Sequence, residues 1–250
     1  MARMEWSAEA LVLSVRPHGE STARVEILTQ EHGRTSALVR GGTGRRLMPV
    51  LQPGNQVAAS CRRGRGADAP VTLVVEPVSA RAARLLGDRL GLAGLSATCA
   101  MLARLLPEGQ PCPGLHQATL TLLDTIEALP EHWPWAYLHW ERGLLAHLGY
   151  GLDLDYCAVS GSGQDLCYVS PRTGRAVSRG AATGWEARLL PLPRALTEGP
   201  PGDAGDMRQG LDLCAHFLLR ALREQAGNDR VLPEARLRLG LLLANWPPGP

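Results

Sequence analysis

Apolar and polar positions alternate through the first eighty or so residues. Leu11, Leu13 and Val15 fall on one side of an extended segment, and Val25 and Ile27 on one side of the next. Pro17-His18-Gly19 and His32-Gly33 supply turns between them, so EALVLSVRPHGESTARVEILTQEHGRTSALVRGG reads as a meander of short strands. Two more extended runs, Val57 to Cys61 and Val71 to Glu76, follow the turn-forming Gln52-Pro53-Gly54-Asn55 and the loop RRGRGADAP. About five strands in so short a stretch predict a small closed barrel, because closure removes the unpaired edges of a free sheet.

After Pro77 the period lengthens. Leu115, Ala118, Leu122, Ile126 and Leu129 recur at steps of three and four, as do Tyr137, Trp140, Leu144 and Leu148. Leu211, Cys214, Leu218 and Ala221 repeat the pattern, and Pro233 opens a last helix through RLRLGLLLA. These are amphipathic helices of a bundle. One segment interrupts them: Leu166 to Val169 and Arg175 to Ser178 flank Ser170-Pro171-Arg172-Thr173-Gly174, which predicts a β-hairpin. The pattern thus divides the chain into a barrel domain, 1–80, and a helical domain, 81–250, with a finger-like hairpin at 152–180.

A chain of 250 residues, 45% hydrophobic and 20% charged, is long enough for one or two folded, soluble domains. It contains no apolar run of the roughly 18 to 20 residues that span a bilayer, and Glu5 and Glu9 sit where a signal peptide would be apolar. A cytoplasmic location is the expectation. Net charge is only +2, yet all 26 basic residues are arginine, whose planar fork suits phosphate oxygens. The scattered cysteines, Cys61, Cys99, Cys112, Cys157, Cys167 and Cys214, suggest reduced thiols rather than a disulfide framework.

No catalytic motif emerges. GGTGRR at 41–46 lacks the lysine and spacing of a phosphate-binding loop, and SGSG at 160–163 lacks the register of a nucleophile elbow. PCPGLH at 111–116 lacks the cysteine pair of a zinc deaminase. Asp153, Asp155 and Asp165 lie in turn-rich sequence where aspartate satisfies backbone donors, and His139 and His147 lie eight apart on one helix as packed or exposed residues. Structural zinc usually takes two close C-x2-C pairs. Cys157 and Cys167 form none, and would need two further ligands, such as Cys214 or a histidine. Zinc and other cofactors are therefore not expected, although a metal-dependent enzyme built on the hairpin stays open as an alternative.

Order and spacing of several words now suggest a family. EALVLSVRPHGESTARVEILTQEHGR is followed by LVRGG, a basic turn and LQPGNQV; later come WERGLLAHLGYGLDLDYCAVSG, DLCYVSPRTGRAVSR and RLLPLP. The chain resembles the bacterial DNA repair and recombination family RecO over nearly its whole length. That resemblance implies an α+β multidomain fold: an N-terminal OB-fold, which is a five-stranded β-barrel, and a C-terminal helical bundle with a zinc-finger-like β-hairpin insertion. Some members bind zinc there through two C-x2-C pairs. Here Cys157 occupies one such position, Asp155 and Gly161 lie where partners are expected, and Cys167 is unmatched, which implies a metal-free scaffold.

The implied function is a recombinational repair mediator without turnover. It binds single- and double-stranded DNA, anneals complementary strands and, with RecR, helps load RecA onto DNA coated by single-stranded DNA-binding protein. An OB-fold adaptor that binds protein or RNA without annealing is the alternative. Candidate DNA-binding residues are Arg34, Arg40, Arg45, Arg46, Arg62, Arg63 and Arg65, with Arg16 and Arg24 as additions. The glycines between Arg40 and Arg46 let backbone approach a phosphate while guanidiniums flank it. Aromatics are scarce and, apart from Trp6, absent from the barrel, so binding is expected to be electrostatic and sequence-tolerant. Arg104, Arg142 and Arg220 lie on helices that could meet the acidic, apolar tail of the single-stranded DNA-binding protein.

Overall fold

The computed structural model describes residues 5–63, 70–197, 199, 204–226 and 231–244. Five strands, β1 (Glu5–His18), β2 (Thr22–Thr29), β3 (Gly33–Arg40), β4 (Gln56–Arg63) and β5 (Val71–Ser79), close a barrel in the order β1-β2-β3-β5-β4. All neighbours are antiparallel except β3 and β5, which are parallel. This is the partly Greek-key order of an OB-type barrel. Alternation in β2–β5 is its cause: Ala23, Val25, Ile27, Ala37, Val39, Val57, Ala59, Leu73 and Val75 form one core. On β1 the expected trio does not share a side: Ala10 and Val12 join that core, Leu11 and Leu13 are buried outside it, and Val15 packs against it beyond a register shift between Val12 and Ser14. Following partners around the barrel from Arg16 through Arg24, Leu38, Thr72 and Arg62 returns to β1 at Glu5 rather than at Arg16. That stagger is the shear that lets five tilted strands close.

β1 is long because it serves two partners. Its first half pairs with β4 and its second with β2, and the ladder with β2 shifts register between Val12 and Ser14. At that irregularity Val12 takes its hydrogen bonds from the chain entering β4: its N–H donates to the Asn55 carbonyl (2.9 Å) and its own carbonyl accepts from Gly54 (2.8 Å). Bulges of this kind increase bending, which a five-stranded barrel needs.

The chain divides into two compact units, 1–127 and 128–250. The barrel's unit therefore continues past residue 80, through the single turn α1 (Arg81–Arg84) and helix α2 (Arg89–Leu105) and almost all of α3 (Pro113–Ala128). Asp88 caps α2 by accepting from the N–H groups of Leu90 and Gly91. α2 then packs on β1, where the Cys99 thiol donates to the Val12 carbonyl at 3.7 Å; burial pushes that thiol up to about 12. Arg81, only 6% exposed, ties α1 to α3 through Asp124 (2.6 Å) and Glu127 (2.8 Å) and to β4 through Gln56 (3.1 Å).

The second unit is built on α4 (Trp133–His147), α6 (Ala204–Ala226) and α7 (Glu234–Leu243). Glu141 on α4 and Arg236 on α7 form a bidentate pair that is almost wholly buried. Tyr137 donates to the same carboxylate (2.8 Å), and Arg236 also donates to the Leu211 carbonyl of α6 (3.1 Å), so one polar cluster joins all three helices. Between α4 and α6 the chain forms the predicted hairpin, β6 (Leu166–Val169) and β7 (Ala176–Ser178), followed by the one-turn α5 (Arg179–Ala182). A two-residue strand, β8 (Leu190–Pro191), adds to β6 and completes a three-stranded sheet. Among the described residues no helix is long and apolar enough to cross a membrane.

Candidate nucleic-acid interface

The outer face of the barrel follows from the same alternation. On β1, β2 and β3 the residues between the inward ones are Arg16, Arg24, Glu26, Arg34, Ser36, Leu38 and Arg40. Register then decides which guanidiniums are neutralised. Arg34 is not free: Nη1 donates to Glu26 (2.9 Å) and Nε to the Leu106 carbonyl (2.7 Å), and its side chain is only 17% exposed. Glu26 also accepts from the Ser14 hydroxyl at 3.0 Å, so both of its oxygens are engaged. Arg34 therefore clamps the barrel to the loop after α2.

Towards the other end of the same strands the charge is uncompensated. Arg16 and Arg24 are direct cross-strand partners, both exposed, and Arg40 lies opposite Thr22, diagonal to Arg24. Arg45 and Arg46 are exposed on the loop that follows β3. No ion pair involving any of these five occurs among the described residues.

The loop's placement has identifiable causes. Gly41 has φ +73°, a left-handed conformation that side chains disfavour, and a Cβ on Gly42 would lie 2.7 Å from the Ala23 Cβ of β2. The pair of glycines thus lets the chain turn after β3 and pack closely against the inward-facing Ala23 of β2. Thr43 Oγ1 then donates to the Glu20 carbonyl in the β1–β2 turn (3.0 Å). From Gly44 the chain winds into helical turns, with Met48 N–H bonded to the Gly44 carbonyl and Leu51 N–H to that of Leu47. Leu47, Val50 and Leu51 pack onto the barrel core, which leaves Arg45 and Arg46 facing solvent. Asn55 fixes the end of the loop: its amide donates to the carbonyls of Pro49 (2.9 Å) and Val50 (3.1 Å), and its side-chain oxygen accepts from Ala82 N–H (3.1 Å).

The remaining candidates lie elsewhere. Arg62, exposed on β4, faces Glu5 across the ladder at 4.0 Å, a screened surface contact of little energetic weight. Arg63 ends β4 opposite Val71, with its side chain outside the described residues, as is the whole of Arg65. Trp6 stacks on His32 at 4.2 Å, so one face of the barrel's single aromatic ring is covered. The structure thus gathers Arg40, Arg45 and Arg46 with Arg16 and Arg24, and separates Arg34 from them. The helical arginines are also engaged: Arg142 donates to the Leu196 carbonyl (3.3 Å), Arg220 to the Arg172 carbonyl (2.6 Å) and Glu224 (3.0 Å), and Arg104 is half-buried with its Nη2 out of solvent. Arg220 and Glu224 border a cavity of about 340 Å³ with Tyr150 and Phe217.

In the hairpin, Cys157 is buried and its sulfur accepts from Ser160 N–H (3.5 Å), Ser178 N–H (3.3 Å) and Ser178 Oγ (3.4 Å). Burial alone would raise the thiol's pKa, but these donors outweigh it and bring it down to about 6. Ser160 and Ser178, rather than Asp155, are the groups converging on this sulfur; Gly161 reaches only the Cys157 carbonyl (2.9 Å). In the sequence Ser160 counts only as part of SGSG and Ser178 only as a strand end, neither as a partner of Cys157. Among the described residues no group of three or more His, Cys, Asp or Glu side chains is arranged to hold a metal ion.

Comparison with known proteins agrees with this architecture. Residues 1–73 match the family model described as Recombination protein O N terminal, and residues 86–230 the one described as Recombination protein O C terminal. The chain is 52% identical over 241 residues to the DNA repair protein RecO of Cereibacter sphaeroides (strain ATCC 17029 / ATH 2.4.9), covering 96% of this chain and 99% of that protein. It is 47% identical over 236 residues to the protein of that name from Jannaschia sp. (strain CCS1), covering 94% and 95%, and 45% identical over 235 residues to that from Ruegeria sp. (strain TM1040), covering 94% and 96%. With both halves matched in order on a closed five-stranded barrel and a helical unit, the chain belongs to the Recombination protein O family, whose function is DNA repair and recombination.

Proposed function

We propose that the protein is a mediator of recombinational repair that works without catalytic turnover, metal or cofactor. It binds single- and double-stranded DNA, anneals complementary strands and, with RecR, helps RecA replace single-stranded DNA-binding protein at gaps. Its place of action is the cytoplasm, on the nucleoid. The observation that carries this reading is the group Arg40, Arg45 and Arg46, joined by Arg16 and Arg24, exposed on one end of the barrel without a carboxylate partner among the described residues.

Annealing requires a surface that neutralises two phosphate chains while leaving base edges free to find each other. Guanidiniums supply the first condition. The second is favoured by the barrel's lack of open aromatic platforms, since bases that do not stack on protein stay available for pairing. Partner proteins are assigned to the helical unit, although Arg142 and Arg220 already have carbonyl or carboxylate acceptors there.

Annealing of complementary oligonucleotides, naked and coated with single-stranded DNA-binding protein, tests the reading. Acceleration by the purified protein is expected in both cases. No acceleration of naked strands would overturn it in favour of an adaptor that binds protein or RNA.

A further inference from the structure

Arg16 and Arg24 occupy directly opposed positions on neighbouring antiparallel strands. Residues so placed have Cβ atoms about 4.5–5.5 Å apart, and like charges there destabilise the ladder. A barrel would ordinarily relieve this with a carboxylate. The one on the same face of β2 is Glu26, two residues from Arg24, but Arg34 and Ser14 consume both of its oxygens. Glu20, in the β1–β2 turn, is exposed and forms no ion pair among the described residues. Arg40 adds a third positive charge at a diagonal separation of roughly 7–8 Å from Arg24. The loop carrying Arg45 and Arg46 follows directly on Arg40, packs at Gly42 against the inward-facing Ala23 and is held to the β1–β2 turn by Thr43.

We propose that Arg16 and Arg24 form a two-armed phosphate clamp at the mouth of the binding track. The phosphodiester backbone of single-stranded DNA enters over the β1–β2 ladder and passes by Arg40 to Arg45 and Arg46. The clamp's charge is left bare by the diversion of Glu26 to Arg34, so the bound phosphate supplies the counter-charge that the ladder lacks. This inference rests on the DNA-binding reading above and deepens it by giving Arg16 and Arg24 one shared phosphate, held from rigid strands and not from a loop.

Arg16→Gln with Arg24→Gln tests it, read by binding of labelled oligo(dT) across a salt series and by urea unfolding at low salt without DNA. The slope of log affinity against log salt should fall by about 0.7, because the one phosphate held between the two guanidiniums is no longer neutralised and accounts for roughly 0.7 on a single strand. The urea midpoint should hold or rise, because a like-charge pair has been removed. Arg84→Gln serves as the control, since Arg84 spends its charge on Glu127 in the same unit, and its slope should match the wild type. A wild-type slope in the double variant would remove the clamp while leaving DNA binding intact; a wild-type protein that fails to bind oligo(dT) would overturn the DNA-binding reading itself. A lowered urea midpoint in the double variant, or an equal loss of slope in Arg84→Gln, would also overturn the clamp.

Discussion

Arg34 reaches Glu26 at 2.9 Å while its Nε holds the Leu106 carbonyl at 2.7 Å, so a single side chain ties β3 to β2 and to the end of α2. A guanidinium so engaged is structural. Arg34→Met leaves the Leu106 carbonyl and a half-buried carboxylate short of donors, at a cost of about 1–3 kcal/mol. Urea unfolding should record that loss. The salt slope of oligo(dT) binding should stay at the wild-type value, because no phosphate loses its guanidinium.

Gly42 offers a way to disturb the interface without altering its charge. A side chain there meets the Ala23 Cβ at 2.7 Å and the Val39 carbonyl at 3.0 Å, neither of which can move freely within the barrel wall. Gly42→Val should displace Arg45 and Arg46, cost about 1–3 kcal/mol through overpacking and lower oligo(dT) affinity. Anisotropy titrations beside urea unfolding separate the two effects.

Cys157 predicts a pH dependence. Its folded-state pKa of about 6 lies below the ordinary thiol value of 9.0, so the unfolded chain binds more protons between the two. Stability from this group is fully present above the unfolded pKa and is lost as pH falls towards 6. The urea midpoint of the wild type, measured relative to Cys157→Ala, should therefore rise from pH 6 to pH 9. An equal difference at both ends would show that the Ser160 and Ser178 donors do not stabilise a thiolate.

The pair of Glu141 and Arg236 should be far costlier to break than to replace. Arg236→Met strands a carboxylate in the core and should cost about 3–5 kcal/mol, whereas Glu141→Leu with Arg236→Met and Tyr137→Phe removes the whole polar cluster and should recover most of that loss. Comparing the single and triple variants by urea unfolding checks it. Burial lifts the Tyr137 hydroxyl well above its ordinary pKa, so it remains a donor throughout the workable range.

Much of this architecture was legible because inward positions alternate over most of the barrel, as at Val25 and Ile27, and because Pro233 stands at the head of α7; on β1 the run of buried residues from Ala10 to Leu13 and the shift before Ser14 blur the alternation. Other features were not. α2 carries apolar or small residues around most of its circumference, RLGLAGLSATCAMLARL, so no single stripe marks it as a helix. β8 is two residues long and exists only because β6 offers an edge. Arg34 and Arg40 look equivalent in sequence, both outward residues of one strand, and differ because cross-strand register brings Glu26 to the first and the end of α2 brings it the Leu106 carbonyl. Arg16 and Arg24 gained weight for the same reason. The unit boundary at 127–128 depends on how α2 and α3 pack, which composition does not encode.

The barrel is a buckled strap more than a hoop. Four of its five junctions are long antiparallel ladders, while β3 and β5 meet in parallel at one register pair, Leu38 with Thr72. That buckle is where the wall should slip open first, and its amides should exchange with solvent sooner than those of the β1–β2 ladder. It also lies on the circuit between Arg24 and Arg62, so a nucleic-acid strand laid across those two arginines would act as a splint over the buckle.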